Sequence, residues 1–315
     1  MKHKLSIKIT LLAMFLATQL IGLYVVNAYA PSLSPDPQTG EIILTPNTLP
    51  FGLQTPEDEP TPNFLSLVFS FALAFAIIFI LMKYKWKMII RLWFFFVIAL
   101  ALAISINAFL KITTLTNASI IALAIAIPLS FLKIFHPNVY VHNTTELLIY
   151  PGIAAVFVPI LTPMSIIALL ILISIYDAWA VWRSGIMQKM AKFQMDELKI
   201  FGGFLIPSAS KKVKKEIEKI KVKYKDKEMP KSIKNKKFKV NLAILGGGDI
   251  IFPIITAGVF MRAYTSIIPA LFIITGALLG LISIFVFSRK GKAYPAMPYI
   301  TTGIFACLLV WKLLF

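Results

Sequence analysis

Met164-Ser-Ile-Ile-Ala-Leu-Leu-Ile-Leu-Ile-Ser-Ile-Tyr176-Asp177-Ala-Trp-Ala-Val-Trp182 decides the fold class, because a single charged side chain stands in an otherwise apolar run. A helix needs about 20 such residues, each rising 1.5 Å, to cross the hydrocarbon of a bilayer, where every backbone N–H and C=O must be satisfied internally. Eight more stretches meet the same requirement, near 5–27, 63–82, 87–109, 115–134, 145–161, 240–260, 265–287 and 294–314. The expectation is an all-α polytopic membrane protein with about nine transmembrane helices. Only Thr162-Pro163 separates the fifth span from the sixth.

Composition agrees. The chain is 58% hydrophobic and 15% charged, against roughly a quarter charged in an ordinary soluble domain. A net charge of +18 in a water-soluble protein would suggest nucleic acid, but here the basic residues cluster between apolar runs and along 211–239, so no nucleic-acid partner is expected. The sole cysteine, Cys307, excludes an internal disulfide, and His3, His136 and His142 form no zinc pattern; no metal or cofactor is expected.

The basic residues orient the spans. With the N-terminus inside, the cytoplasmic side holds Lys2, Lys4, Lys8, Lys83, Lys85, Lys87, Arg91, Lys133, the 183–239 loop, Arg289, Lys290 and Lys292, leaving Lys111, Arg262 and Lys312 outside. That asymmetry satisfies the positive-inside rule, so the chain reads as N-in and C-out in the cell membrane. Residues 28–62, rich in proline, acidic and without Lys or Arg, form an irregular external loop. Lys2 to Lys8, the apolar run and Ala28-Tyr29-Ala30 also imitate a cleavable signal peptide; the run is longer than usual for one and Pro31 would follow the cut.

Three parts result: residues 1–182 with six spans, a cytoplasmic loop 183–239, and 240–315 with three spans. Within 183–206 apolar Ile186, Met187, Met190, Phe193, Leu198, Ile200 and Phe201 alternate with Lys189, Lys192, Asp196, Glu197 and Lys199, the pattern of an amphipathic interfacial helix. The lysine-rich 211–239 is expected to be mobile and attracted to anionic lipid headgroups.

Acidic residues carry the chemistry. Glu146 follows Asn143-Thr-Thr in the form of a helix-capping box and reads as a structural cap. Asp177 and Asp249, the second in Leu245-Gly-Gly-Gly-Asp249-Ile-Ile-Phe-Pro253, stand in apolar spans where an ionised carboxylate costs several kcal/mol. No Lys or Arg stands at comparable depth in the sequence pattern, so the simplest partner of each aspartate is the other. Two such carboxyls titrate as a unit, one protonated and one charged, which suits activation of water and donation to a peptide carbonyl. A buried packing contact is the plain alternative for either residue alone. Gly246, Gly247 and Gly248 permit close backbone approach before Asp249. In Tyr294-Pro295-Ala296-Met297-Pro298-Tyr299 the two prolines make a rigid, partly extended corner, or else an ordinary helix start.

Tyr176-Asp177, Gly246-Gly247-Gly248-Asp249 and Pro295-Ala296-Met297-Pro298 together resemble the YD, GxGD and PAL motifs of presenilins and signal peptide peptidases, most closely a microbial, archaeal presenilin-like protease. The resemblance covers most of the chain. It implies a presenilin-like intramembrane aspartic endopeptidase, with transmembrane proteins as substrates and Asp177 and Asp249 as the catalytic pair. It further implies that Tyr176 supports the first aspartate, Gly246 and Gly248 shape the second, and Pro295 to Pro298 lie beside the site and position substrate. Met297 stands where presenilins carry leucine, a volume-conserving change, and Gly247 fills the variable GxGD position. The N-in orientation favours presenilin over the inverted signal peptide peptidases. Phe238-Lys-Val-Asn-Leu242 alternates as a strand does and could pair with an unwound substrate. A type IV prepilin peptidase shares GxGD but has fewer helices and lacks the proline corner. A proton- or cation-coupled transporter would use the same aspartates but predicts an inverted repeat, which the six-plus-three division does not suggest.

Overall fold

The computed structural model describes residues 5–35, 42–45, 49–52, 69–86 in part, 87–112, 117–184, 200–208, 241–287 and 294–315. Its helices are α1 (Leu5–Ala28), α2 (Lys87–Leu110), α3 (Ala118–Phe135), α4 (Val139–Phe157), α5 (Pro163–Trp179), α6 (Gly247–Ala263), α7 (Ile267–Phe287) and α8 (Met297–Leu314). Seven helices among the described residues are long and apolar enough to cross a membrane, α6 being the shorter exception. Of the expected 63–82 span, nine residues between Phe69 and Leu81 are described, all of them helical, and the rest lie outside the described residues, as do 185–199 and nearly all of 209–240.

Local chemistry sets the boundaries. At the narrow Thr162-Pro163 division, the Thr162 side chain accepts from the Ser165 N–H while Ser165 returns a bond to the Thr162 N–H, and Pro163 fills the first turn, where no N–H is needed. The fifth and sixth spans are therefore separate helices, α4 and α5. The latter runs on into a π-turn over Ala180–Ser184.

Four expectations change. First, Asn138, not Asn143, caps α4, its side chain accepting from the Tyr140 N–H at 2.9 Å, so the helix starts earlier and Glu146 lies in its interior, not at its end. Second, Lys133 is not an exposed topogenic charge. It is buried on α3 and donates to Glu146 Oε1 at 2.5 Å, giving the bundle a buried cation that the hydropathy pattern hid. Third, the 240–260 span does not begin as helix. Asn241–Gly246 is strand β4, paired antiparallel with β3 (Gly203–Ser208), so the end of the expected 183–206 amphipathic helix is also extended. Fourth, the 28–62 stretch expected to be irregular contains an antiparallel pair, β1 (Ser32–Pro35) with β2 (Ile42–Thr45), and a short 3-10 turn at Pro50–Gly52.

The larger core joins α1, α4, α5, α6, α7 and α8 around Phe15, Ile166, Leu170, Ile254, Ile273 and Ile304; a second joins α2, α3 and α4 around Leu102, Ala126 and Ile134. Outward faces remain apolar, with Leu92, Trp93, Phe96, Ile171, Ile175 and Leu309 exposed, as lipid-facing surfaces require. Lipid gives no hydrophobic drive for helix association, so close packing has to come from small residues. Gly276 on α7 and Gly303 on α8 meet backbone to backbone, where an added Cβ would come within 2.3 Å of a carbonyl oxygen.

Candidate active site

Two helix N-termini converge on the two aspartates. α5 carries Asp177 in its last turn, buried, and Ser174 one turn earlier donates to Thr301 Oγ1 of α8 at 2.8 Å, locking the facing helices in register. The Met297 N–H, at the start of α8, donates to Asp177 Oδ2 at 3.0 Å, and the Ala296 N–H also bonds that carboxylate. The first N–H groups of a helix lack intrahelical partners and attract an acceptor or anion. Ala296 caps α8 in a helical conformation and Pro298 occupies the first turn. The proline motif is thus a tight helix start, not the partly extended corner expected from two prolines. Pro298 supplies no donor there, and the Met297 amide is left to the aspartate.

Asp249 sits in the first turn of α6, where its carboxylate lies against the Gly246 backbone. A Cβ on Gly246 would be 3.1 Å from Asp249 Oδ2. The change from strand to helix at Gly246–Gly247 therefore aims Asp249 back across its own helix terminus. Asp177 and Asp249 lie within electrostatic reach of one another, brought together by the α5–α6 contact.

The remaining motif residues are distributed unevenly. Pro295 and Met297 are buried, while Ala296 and Pro298 are partly exposed. Gly247 faces the Tyr150 hydroxyl, 2.7 Å from where its Cβ would stand, whereas Gly248 is open, its nearest such neighbour being Phe252 at 3.8 Å. Tyr176, implied to support the first aspartate, is exposed, and its ring lies 6.4 Å from that of Trp179.

Two residues near the dyad were missed by sequence reasoning. Gln19 on α1, fully buried, donates to the Ile250 carbonyl at 3.0 Å, next to Asp249. Tyr150 on α4 is the other. Each could have been noticed as an isolated polar group within an apolar run, the signal that singled out the aspartates. Among the described residues no three His, Cys, Asp or Glu side chains converge as a metal site.

A multi-helix apolar bundle with two intramembrane aspartates at helix termini defines a class, the intramembrane aspartic proteases. A family model described as signal-peptide peptidase, presenilin aspartyl protease matches residues 39–315, and the chain belongs to that family. Two solved structures, each of a presenilin family intramembrane aspartate protease, share the fold. The one in space group C222 is 20% identical, with a TM-score of 0.60 over 98% of this chain and 99% of that one. The one in P2 is also 20% identical, with a TM-score of 0.59 over 97% of each chain. No curated protein matches. The chain is thus a presenilin-like, multi-pass intramembrane aspartyl protease, and neither the prepilin-peptidase nor the transporter reading is supported.

Proposed function

We propose that Asp177 and Asp249 are the catalytic pair and hydrolyse peptide bonds of transmembrane substrates held in the bilayer. The observation that carries this reading is the Asp177 carboxylate, buried, bound by the Met297 amide and within electrostatic reach of Asp249. Like charges so placed cannot both ionise cheaply, so the working pair holds one proton. The charged carboxylate takes a proton from water as its oxygen attacks the scissile carbonyl carbon. The protonated partner donates to the carbonyl oxygen, giving a tetrahedral gem-diol. Collapse returns a proton to the leaving nitrogen and yields one new carboxyl and one new amine, with no covalent enzyme intermediate. In this reading the amides at the start of α8 hold Asp177 in place, and Gly246 to Gly248 let substrate backbone approach Asp249.

Strand β4 supplies the substrate platform. Asn143 and His142 occupy the outer edge of β3, and the other edge of β3 pairs with β4. Among the described residues no strand covers the far edge of β4, which runs directly into Gly247 and Asp249. An unwound substrate adding there as a strand would deliver its backbone to the aspartates. The same proposal includes nine spans with N-in and C-out orientation, a cytoplasmic 183–239 loop between six-span and three-span parts, and attraction of its lysines to anionic headgroups.

The test is cleavage of a single-span substrate by purified protein in detergent. Asp177→Ala and Asp249→Ala should each lower the rate by at least about 100-fold, the scale of lost general acid-base catalysis, and a transition-state analogue of aspartic proteases should inhibit. Residual cutting by either alanine variant at more than a tenth of the wild-type rate would remove that aspartate from the mechanism.

A further inference from the structure

His142, Glu146 and Tyr150 recur every four residues along α4, one above another on a single face, with Asn143 beside the first. At the top of this stripe the Asn143 carboxamide pairs with both main-chain groups of Leu205. The Leu205 N–H donates to Asn143 Oδ1 at 3.0 Å and Asn143 Nδ2 donates to the Leu205 carbonyl at 2.8 Å. His142 Nε2 is 2.7 Å from the Gly203 carbonyl, which can only accept, so Nε2 carries the proton. His142 Nδ1 is then an acceptor for Lys133 Nζ at 3.1 Å, and Lys133 also donates to Glu146 Oε1 at 2.5 Å. Both imidazole nitrogens are committed, and the ring is held in one orientation.

Lower on the stripe, the Tyr150 ring stands edge-on to Phe204 of β3 at 6.4 Å. Its hydroxyl, buried, fills the space beside Gly247 and lies within electrostatic reach of Glu146 and Asp249. The Glu146 carboxylate, one turn away on the same face, is the side chain within hydrogen-bonding reach of that hydroxyl. A stripe serving only to pack α4 against α3 would not need to grip a strand on one side and the catalytic loop on the other.

The β3 strand is itself the template for that loop. Gly203 stands opposite Gly246 and Leu205 opposite Ile244, and the Gly247 N–H donates to the Gly202 carbonyl at 3.2 Å. Wherever β3 sits along its axis, the start of α6 and hence Asp249 must follow. A slip of one residue along a strand is about 3.3 Å, whereas catalysis is sensitive to displacements of about 1 Å.

We propose that His142, Asn143, Glu146 and Tyr150, with Lys133, form a positioning device for proteolysis: they fix β3 against the glycine loop and thereby set which substrate bond meets the aspartates. The proposal rests on the dyad and strand-addition readings above. The substrate is not contacted by the upper members, which act through β3, while Tyr150 acts at Gly247.

The experiment compares full-length wild type, Asn143→Leu, Tyr150→Phe and Asp249→Ala on one single-span substrate, measuring kcat, KM, the cleavage positions by mass spectrometry, and the melting temperature. Asn143→Leu keeps the volume and removes both bonds to Leu205; cleavage should spread to neighbouring bonds and kcat should fall about ten- to a hundredfold, with KM changing less. Tyr150→Phe removes only the hydroxyl and should lower kcat at an unchanged melting temperature. If both variants cut the wild-type bonds at the wild-type kcat, or lose only melting temperature, the stripe is merely structural and the proposal is overturned. If Asn143→Leu does not fold, the kcat and products of Tyr150→Phe decide. If Asp249→Ala still cleaves, the dyad reading falls first and this proposal with it.

Discussion

At the residue scale, each aspartate owes its setting to backbone. Asp177 accepts from the start of α8, and Asp249 folds back on the start of α6. The three glycines before Asp249 are equivalent by composition and differ in space. A Cβ at Gly247 would meet the Tyr150 hydroxyl at 2.7 Å, so Gly247→Ala must displace either that side chain or the loop. Steady-state kinetics should show kcat down by about tenfold or more, consistent with a small misplacement of the reacting groups. Gly248→Ala meets nothing closer than Phe252 at 3.8 Å and gains helix propensity of up to about 1 kcal/mol, so its melting temperature should stay level or rise. The motif letters ranked these two positions the other way, as the variable and the required glycine.

At the scale of elements, the bundle is held by a few polar locks as well as by packing. Lys133 and Glu146 are both nearly inaccessible, so removing one leaves a buried charge without its partner. Lys133→Met should cost about 3–5 kcal/mol, read as a fall in unfolding midpoint in detergent, and the double variant Lys133→Met, Glu146→Leu should recover most of it. Ser174 and Thr301 join α5 to α8 through one hydrogen bond, and Ser174→Ala should cost only about 1 kcal/mol. A larger activity loss than stability loss in that variant would show that the bond also keeps Met297 against Asp177. The spans themselves were readable in the sequence, since α1, α2, α3, α5, α7 and α8 start or end within a few residues of their apolar runs. The shift of the α4 start to Val139 was not, because Asn143-Thr-Thr-Glu146 has the form of a capping box and only the folded chain shows Asn138 as the cap. Of β4 only Asn241 and Leu242 fell within the stretch Phe238–Leu242 that alternates as a strand; Ala243–Gly246 is apolar enough to pass for the top of a helix until β3, distant in the chain, pairs with it.

At the scale of the whole molecule, α1 is an integral wall of the main core. Phe15, Leu23 and Val26 are buried there, Gln19 bonds the Ile250 carbonyl of α6, and Gly22 lets Ile254 of α6 approach within 2.4 Å of its missing Cβ. Orientation is tested by cysteine accessibility in a Cys307→Ser background: Glu57→Cys should react with an impermeant thiol reagent on intact cells, and Lys2→Cys only after permeabilisation. The reverse pattern would invert the protein. What the sequence by itself determined is what depends on transfer from water to lipid: the apolar spans and the two aspartates that stand out within them because a charge there is costly. The tertiary structure alone decided who partners whom. A hydrogen bond such as Met297 to Asp177, the Lys133–Glu146 pair, or the grip of Asn143 on Leu205 joins groups on different elements, and no local pattern records a distance that exists only once the helices have packed.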